Sequence, residues 1–307
     1  MVTRSSARID IATTPVHLSG NRLLINLDAN LSPADLEAAL TNHLEAFEHL
    51  YLHTTNVAAL GFSALEQVRP PRLATLIVDS HGNPLERQGY CVVGVLNRVV
   101  DALPSLTRVH LVGNTDFPGP VRHGKLARIS LAGSLEIPVG GVLQRNPDAE
   151  RAVASLAESE LPALSEIELA LRAQGESEVD DPGLVASLLA RHAKLDRCYL
   201  QSERLEGTSL LQAASPSALP GELQLDLPID DEDAFCAEAN ACLDAGTRLS
   251  RLAVRIEDFL ADAGLDDLRA RGLEITDARE LEPFSPRAYG AEDFLAPAGN
   301  VEPAVAD

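Results

Sequence analysis

A chain of 307 residues with 46 Asp and Glu against 25 Lys and Arg has a formal net charge of −21, a surface that repels nucleic acid and anionic lipid and favours solubility. Only Lys125 and Lys194 are lysines and no Lys/Arg run occurs, which excludes the basic stripe that tracks phosphates, and no apolar run reaches the ~18 residues of a membrane span. Hydrophobic residues make up 45%, but with no Trp, one Met and 4% aromatics the core must be built from Leu, Ala, Val and Ile.

In chain order, residues 1–21 contain two alternating segments, Arg8-Ile-Asp-Ile11 and Pro15-Val-His-Leu18, expected to form a hairpin that caps an open sheet end. Ile25-Asn-Leu27 is a weak strand. Ser32-Pro33-Ala34-Asp35 opens a helix, with a Ser cap, Pro at the first helical position and an acid three residues on; Leu36, Leu40 and Leu44 follow at helical spacing. Phe47 to Leu52 (FEHLYL) and Leu73 to Val78 (LATLIV) place apolar residues at positions one, four and six. Asp79-Ser80-His81, followed by Gly82-Asn83-Pro84, reads as a turn, because consecutive residues rarely aim at one another as a triad. A helix is expected over Tyr90 to Leu103, ending before Pro104.

The clearest segment is Leu106 to Asn114, LTRVHLVGN. Its aliphatic residues alternate and point inward, and its Asn sits where a turn needs capping. Leu126 to Leu131, Leu164 to Leu169, Leu195 to Leu200 (with Cys198 inward) and Leu249 to Val254 repeat the frame; Leu225-Asp-Leu227 and Leu273-Glu-Ile275 are weaker copies. Helices are expected at Pro147–Leu156, after the Asp181-Pro182 cap to His192, and from Asp231 to Gly246, a favoured stop. Taking the middle aliphatic residue as marker gives positions 25, 50, 76, 109, 129, 167, 198, 225, 252 and 273. Most gaps lie near a ~20–29-residue period; the longer ones imply inserted turns or longer helices. Residues 281–307, rich in Pro, Ala and acids without period, read as a mobile tail, or as an ordered cap if Phe284, Tyr289 and Phe294 fold back.

The L-x-x-L-x-L-x-x-N frame resembles the leucine-rich-repeat superfamily, in its ribonuclease-inhibitor-like form, over most of residues 22–280. The resemblance implies an α/β solenoid, a horseshoe with a parallel β-sheet on the concave face and helices on the convex face, of about ten irregular repeats. More narrowly, Pro118 to His123 leading into Leu126 to Leu131, then Leu161 to Leu169, resembles a family of bacterial cytoplasmic leucine-rich-repeat proteins that supplies no activity and no catalytic residues to carry over. Uneven repeat lengths and a mostly missing Asn ladder depart from regular members. The superfamily implies protein binding through the concave face.

In that frame the outward residues gather in one sheet. They are expected to be His49, Tyr51, His53; Thr75, Ile77, Asp79; Arg108, His110, Val112; Arg128, Ser130, Ala132; Glu166, Glu168, Ala170; Arg197, Tyr199, Gln201; Gln224, Asp226, Pro228; Arg251, Ala253, Arg255; and Gly272, Glu274, Thr276. Five Arg balance five acids here, inside a chain of −21. A neutral face with Tyr and Arg has the make-up of a protein-binding hot spot, although strand faces also carry fewer acids for reasons of propensity alone.

The expected docking residues are His49, Tyr51, His53, Arg108, His110, Arg128, Glu166, Glu168, Arg197, Tyr199, Gln201, Asp226, Arg251 and Arg255. His49 and His53 lie about 13 Å apart by strand rise, too far for one ion, so no metal and no cofactor is expected. Cys91, Cys198, Cys236 and Cys242 match no zinc spacing and read as free thiols. No G-x-S-x-G elbow and no phosphate loop occurs, and no signal peptide is recognisable. The expectation is a cytoplasmic, non-catalytic scaffold for a protein partner. The alternative is a module that binds a basic partner through its acidic helices and tail.

Overall fold

A computed structural model describes residues 15–27, 29, 31–53, 58–79, 96–112, 119–132, 137–139, 142–144, 148–170, 181–202, 204–256, 259, 263–278 and 294. In chain order the elements are β1 (Val16–Ser19), β2 (Arg22–Asn26), α1 (Pro33–Asn42), β3 (His49–His53), α2 (Ala58–Val68), β4 (Thr75–Asp79), α3 (Leu96–Ala102), β5 (Arg108–Val112), β6 (Arg128–Ala132), β7 (Ile137–Val139) and β8 (Val142–Gln144). They continue as α4 (Asp148–Glu158), β9 (Glu166–Ala170), α5 (Pro182–Arg191), β10 (Arg197–Gln201), α6 (Gly207–Ala213), β11 (Glu222–Asp226), α7 (Glu232–Asp244), β12 (Arg251–Val254), α8 (Ala263–Ala270) and β13 (Glu274–Asp277).

Eleven strands form one sheet in the order β1-β2-β3-β4-β5-β6-β9-β10-β11-β12-β13. Every step across the sheet is a step along the chain, and every pair from β2 onward is parallel. Parallel neighbours need a crossover; a helix lies between each parallel pair except β5 and β6, where none occurs among the described residues. The result is a solenoid-like α/β fold whose sheet does not close.

The register explains why these sequences stack. Leu23, Leu50, Leu76, Val109, Ile129, Ile167, Cys198, Leu223 and Leu252 lie side by side, as do Ile25, Leu52, Val78, Leu111, Leu131, Leu169, Leu200, Leu225 and Val254. Both rows are buried against Leu36, Leu40, Leu65, Val99, Leu156, Leu188, Phe235 and Leu265 from the helices. The backbone ladder runs on ahead of the strands. Thr107 Oγ1 and Ser250 Oγ donate to Ala74 O and Gly221 O, at 3.0 and 3.1 Å, each on the preceding repeat. At α1 the capping box forms as its sequence requires: Ser32 Oγ accepts from Asp35 N at 3.2 Å and Asp35 Oδ2 accepts from Ser32 N at 3.1 Å.

Three expectations need correction. The weak units slip by two residues: Leu23, Leu223 and Ile275, not residues 25, 225 and 273, take the middle position. A two-residue slip keeps inward and outward alternation intact, so the apolar pattern alone does not detect it. It brings Glu222 onto the outward face in place of Pro228, and leaves Gly272 before β13. The N-terminal hairpin pairs β1 with β2 around Gly20, which has φ 59°; the segment Arg8–Ile11 lies outside the described residues. The long interval before β9 holds the antiparallel pair β7–β8, separate from the main sheet.

Candidate functional site

The sheet face turned away from the helices has three columns, one for each outward position of a five-residue strand. The first runs Arg22, His49, Thr75, Arg108, Arg128, Glu166, Arg197, Glu222, Arg251, Glu274. The second runs Leu24, Tyr51, Ile77, His110, Ser130, Glu168, Tyr199, Gln224, Ala253, Thr276. The third includes His53, Asp79, Gln201 and Asp226, with Arg255 following β12 beside Asp226. With Arg22 and Glu222 included, the face holds six Arg and six acids, so its formal charge stays zero.

Burial divides the expected docking residues in two. Tyr51, His110, Glu168, Tyr199, Gln201, Asp226 and Arg255 are buried; His49, His53, Arg108, Arg128, Glu166, Arg197 and Arg251 are half-buried. The central column is therefore interior, not an open docking surface. Its side chains bond among themselves, as when Ser130 Oγ donates to Glu168 Oε2 at 2.7 Å. In the third column Arg255 Nε donates to Asp226 Oδ1 at 2.6 Å, and Gln201 Nε2 donates to Asp226 Oδ2.

The first column, apart from buried Thr75, is half-buried or more exposed, and in the third column His53 and Asp79 are half-buried as well. From β6 to β13 the first column alternates in sign. Arg128 lies 2.5 Å from Glu166, Arg197 lies 2.9 Å from Glu222, and Arg251 lies 3.6 Å from Glu222 and 3.0 Å from Glu274. The Arg side chains of this ladder stay 27–39% exposed. Toward β2 the column is more positive. Burial first, then the charges of Arg22 and Arg108, hold the His49 imidazole below its ordinary pKa.

Tyr51 donates its hydroxyl proton to Asp79, whose carboxylate lies 3.8 Å from His53 Nδ1. Burial and then the Asp79 charge raise the Tyr51 pKa, so the phenol stays protonated. Cys198, Cys236 and Cys242 are free and buried; burial pushes the Cys198 thiol up to about 12, and Cys91 lies outside the described residues. Among the described residues no three His, Cys, Asp or Glu gather where a metal ion would be held, and no helix is long and apolar enough to cross a membrane.

Sequence reasoning missed Arg22 and Glu222. It offered Phe294 only as one outcome for the tail. In the structure Phe294 is buried on Leu24, Tyr51 and Ile77, a cluster separate from the main core. Its ring centroid lies 5.3 Å from that of Tyr51. The Arg22 guanidinium sits 5.9 Å over the Phe294 ring and donates to the Phe294 carbonyl at 2.7 Å. The remainder of 279–307 lies outside the described residues.

No family model and no curated protein matches the chain. Among solved structures, a crystal structure of a Bacteroides fragilis protein, a structural-genomics target, superposes with a TM-score of 0.52 at 11% identity, covering 83% of this chain and 74% of that one. At that identity the likeness bears on the fold alone.

Proposed function

We propose that this chain is a leucine-rich-repeat type scaffold that binds another protein and catalyses no reaction. The partner lies along the first column from Arg128 to Glu274. One observation carries the reading: the outward column that stays half-exposed is an Arg/Glu ladder of balanced sign in a chain of net charge −21. A partner that the helices and loops would repel approaches this face without a Coulombic penalty. Partly desolvated Arg side chains, already oriented by carboxylates, present planar donors at little further entropic cost.

The state of the reactive groups favours binding over chemistry. Tyr51 and Cys198 are held protonated by burial, whereas a nucleophile needs a lowered pKa or an adjacent base. Of the helical acids, Asp244 pairs with Arg271 at 2.5 Å and Asp266 with Arg269 at 2.8 Å. A cytoplasmic setting belongs to the same proposal, supported by the free, buried thiols.

The test uses Arg128→Ala, Arg197→Ala and Arg251→Ala combined. Tyr199 is avoided because it is buried and its loss would disturb folding. Affinity capture from native lysate with quantitative mass spectrometry is expected to lose the main specific partner at least tenfold, with the circular dichroism spectrum unchanged. Undiminished capture by the folded triple variant refutes the assignment. Capture that instead collapses at high salt for wild type and variant alike points to the acidic helices.

A further inference from the structure

The central column changes character along the sheet. Its first three residues, Leu24, Tyr51 and Ile77, are apolar or aromatic, and polar residues His110, Ser130 and Glu168 follow. Only the first three join Phe294 in a hydrophobic cluster. Phe294 reaches them from 272 positions along the chain beyond Arg22. The contact has the form of peptide recognition: a side chain fills a pocket, and a flanking Arg reads its backbone carbonyl.

We propose that Leu24, Tyr51, Ile77 and Arg22 form a socket for a phenylalanine presented by a protein partner within an acidic segment. Phe294 holds that socket in cis and yields it when the partner binds. The inference rests on the docking role of this sheet face and adds the feature that the partner must carry.

The chemistry sets the requirement. The socket floor is Leu24, the Tyr51 ring and Ile77, from three adjacent strands. The Arg22 guanidinium over the ring favours an aromatic residue over an aliphatic one of equal size. Acidic flanks suit the Arg22 guanidinium that lies over the ring; burial first, then the charges of Arg22 and Arg108 against that of Glu48, depress the neighbouring His49. The chain's own version reads Ala291-Glu-Asp-Phe-Leu295. Because the cis ligand is tethered, its effective concentration is of millimolar order, and a partner with additional contacts along the ladder outcompetes it.

The probe is a labelled peptide of residues 289–298, YGAEDFLAPA, titrated in trans into the full chain and followed by fluorescence anisotropy. The Phe294→Ala chain is expected to bind it at least tenfold tighter than wild type. A peptide with Ala in place of Phe is expected to bind neither chain, and adding Arg22→Ala to the Phe294→Ala chain is expected to weaken binding about tenfold. A second variant guards against loss of fold. Phe294→Trp gives the only Trp in the chain, with blue-shifted emission when seated.

Equal binding of the peptide to Phe294→Ala and wild type, or no binding to a Phe294→Ala chain that melts cooperatively, overturns the proposal. So does solvent-like emission from Phe294→Trp, or a wild-type dimer that Phe294→Ala converts to monomer, which would assign the socket to a second copy. Repeating the titration with Arg197→Ala in the Phe294→Ala chain separates the two readings. Unchanged peptide binding is expected; its loss there would overturn the socket as the site of the peptide. Partner capture that survives without peptide binding leaves the ladder standing and removes the socket.

Discussion

Replacing Asp226 with Ala tests whether the third column is held by a buried ion pair. Arg255 and Asp226 keep 7% and 8% of their side chains exposed, so solvent screening discounts little. Asp226 accepts from Arg255 Nε at 2.6 Å and from Gln201 Nε2, and Arg255 Nη2 also donates to Asp226 O at 3.0 Å. Removing the carboxylate takes the Asp226 acceptor from a buried guanidinium and a buried amide, which costs about 3–5 kcal/mol. With an unfolding entropy of ~2.1 cal/mol/K per residue over ~300 residues, that is a fall in Tm of roughly 5–8 °C. Removing both charges, as Asp226→Leu with Arg255→Met, should cost only ~1–3 kcal/mol, the residue of the Gln201 amide left without its acceptor. Urea titrations followed by far-UV circular dichroism give both values. A double variant as damaged as the single, or a single variant within ~1 kcal/mol of wild type, refutes the view that the pair is a desolvated charge cluster.

A Cβ added at Gly264 would stand 2.7 Å from Cys236 Sγ, so Gly264→Ala should destabilise by ~1–3 kcal/mol; in a Cys236→Ala background the same change should become neutral or slightly stabilising, and a persistent penalty in the double variant refutes the clash. His192 donates from Nε2 to Leu156 O at 2.8 Å, and burial first, then Arg191, depresses its pKa from 6.5. A His depressed in the folded state contributes stability above 6.5 that is lost as pH falls below it. The urea midpoint should therefore drop between pH 8 and 5.5, and His192→Gln should shrink that drop; an unchanged slope places the titration elsewhere. Glu222→Ala removes the acceptor of Arg197 Nε and Nη2 and the neighbour of Arg251. At the exposure of those guanidiniums the cost is held to ~1 kcal/mol and should shrink further in 1 M salt. In a Cys91→Ser chain, a thiol reagent at pH 8 should modify the remaining cysteines only on denaturation, since burial raises Cys198, Cys236 and Cys242 alike; rapid native labelling would contradict that burial.

Legibility in the sequence followed the strength of the local signal. Leu106 to Leu111 supplies its inward residues in phase and was placed correctly, as were the helices opened by Ser32, Asp181 and Asp231, each a side chain that accepts from the first-turn backbone. Three helices carried weaker signals and were not anticipated: α2, α8 and α6, the last capped by Glu206, an uncommon residue there, which accepts from Thr208 N and Ser209 N. Gly140-Gly141 between Ile137-Pro-Val139 and Val142-Leu-Gln144 is a two-residue hairpin signal that would have located β7 and β8. Register at β11 and β13 was ambiguous by two because alternation survives such a slip. The burial of the central column was not legible, since a repeat frame says which way a side chain points and not what lies over it. Phe294 shows why: its partners on β2, β3 and β4 are fixed by the tertiary path of the chain, not by any period.

The balanced sign of the first column has a cause that precedes any partner. Parallel strands ~4.8 Å apart stack the side chains of one column as nearest neighbours. Two like charges ~5 Å apart at an effective dielectric of ~20 repel by about 3 kcal/mol before salt screening. A column of charged residues in an in-register parallel sheet is therefore favoured to alternate, as Arg128, Glu166, Arg197, Glu222, Arg251 and Glu274 do, with Arg108 beside Arg128 the like-charged exception. Neutrality is thus favoured by stacking itself and bears on function only together with the exposure of the column. What stacking does not require is charge at this column in the first place: the neighbouring column meets the same spacing with Leu24, Tyr51, Ile77, Ser130 and Ala253. Nor does it require the guanidiniums to stay more than a quarter exposed, where each pair returns under ~1 kcal/mol of stability. A ladder that contributes so little to folding, kept half-exposed beside a buried central column, is better explained by what it presents than by what it holds together.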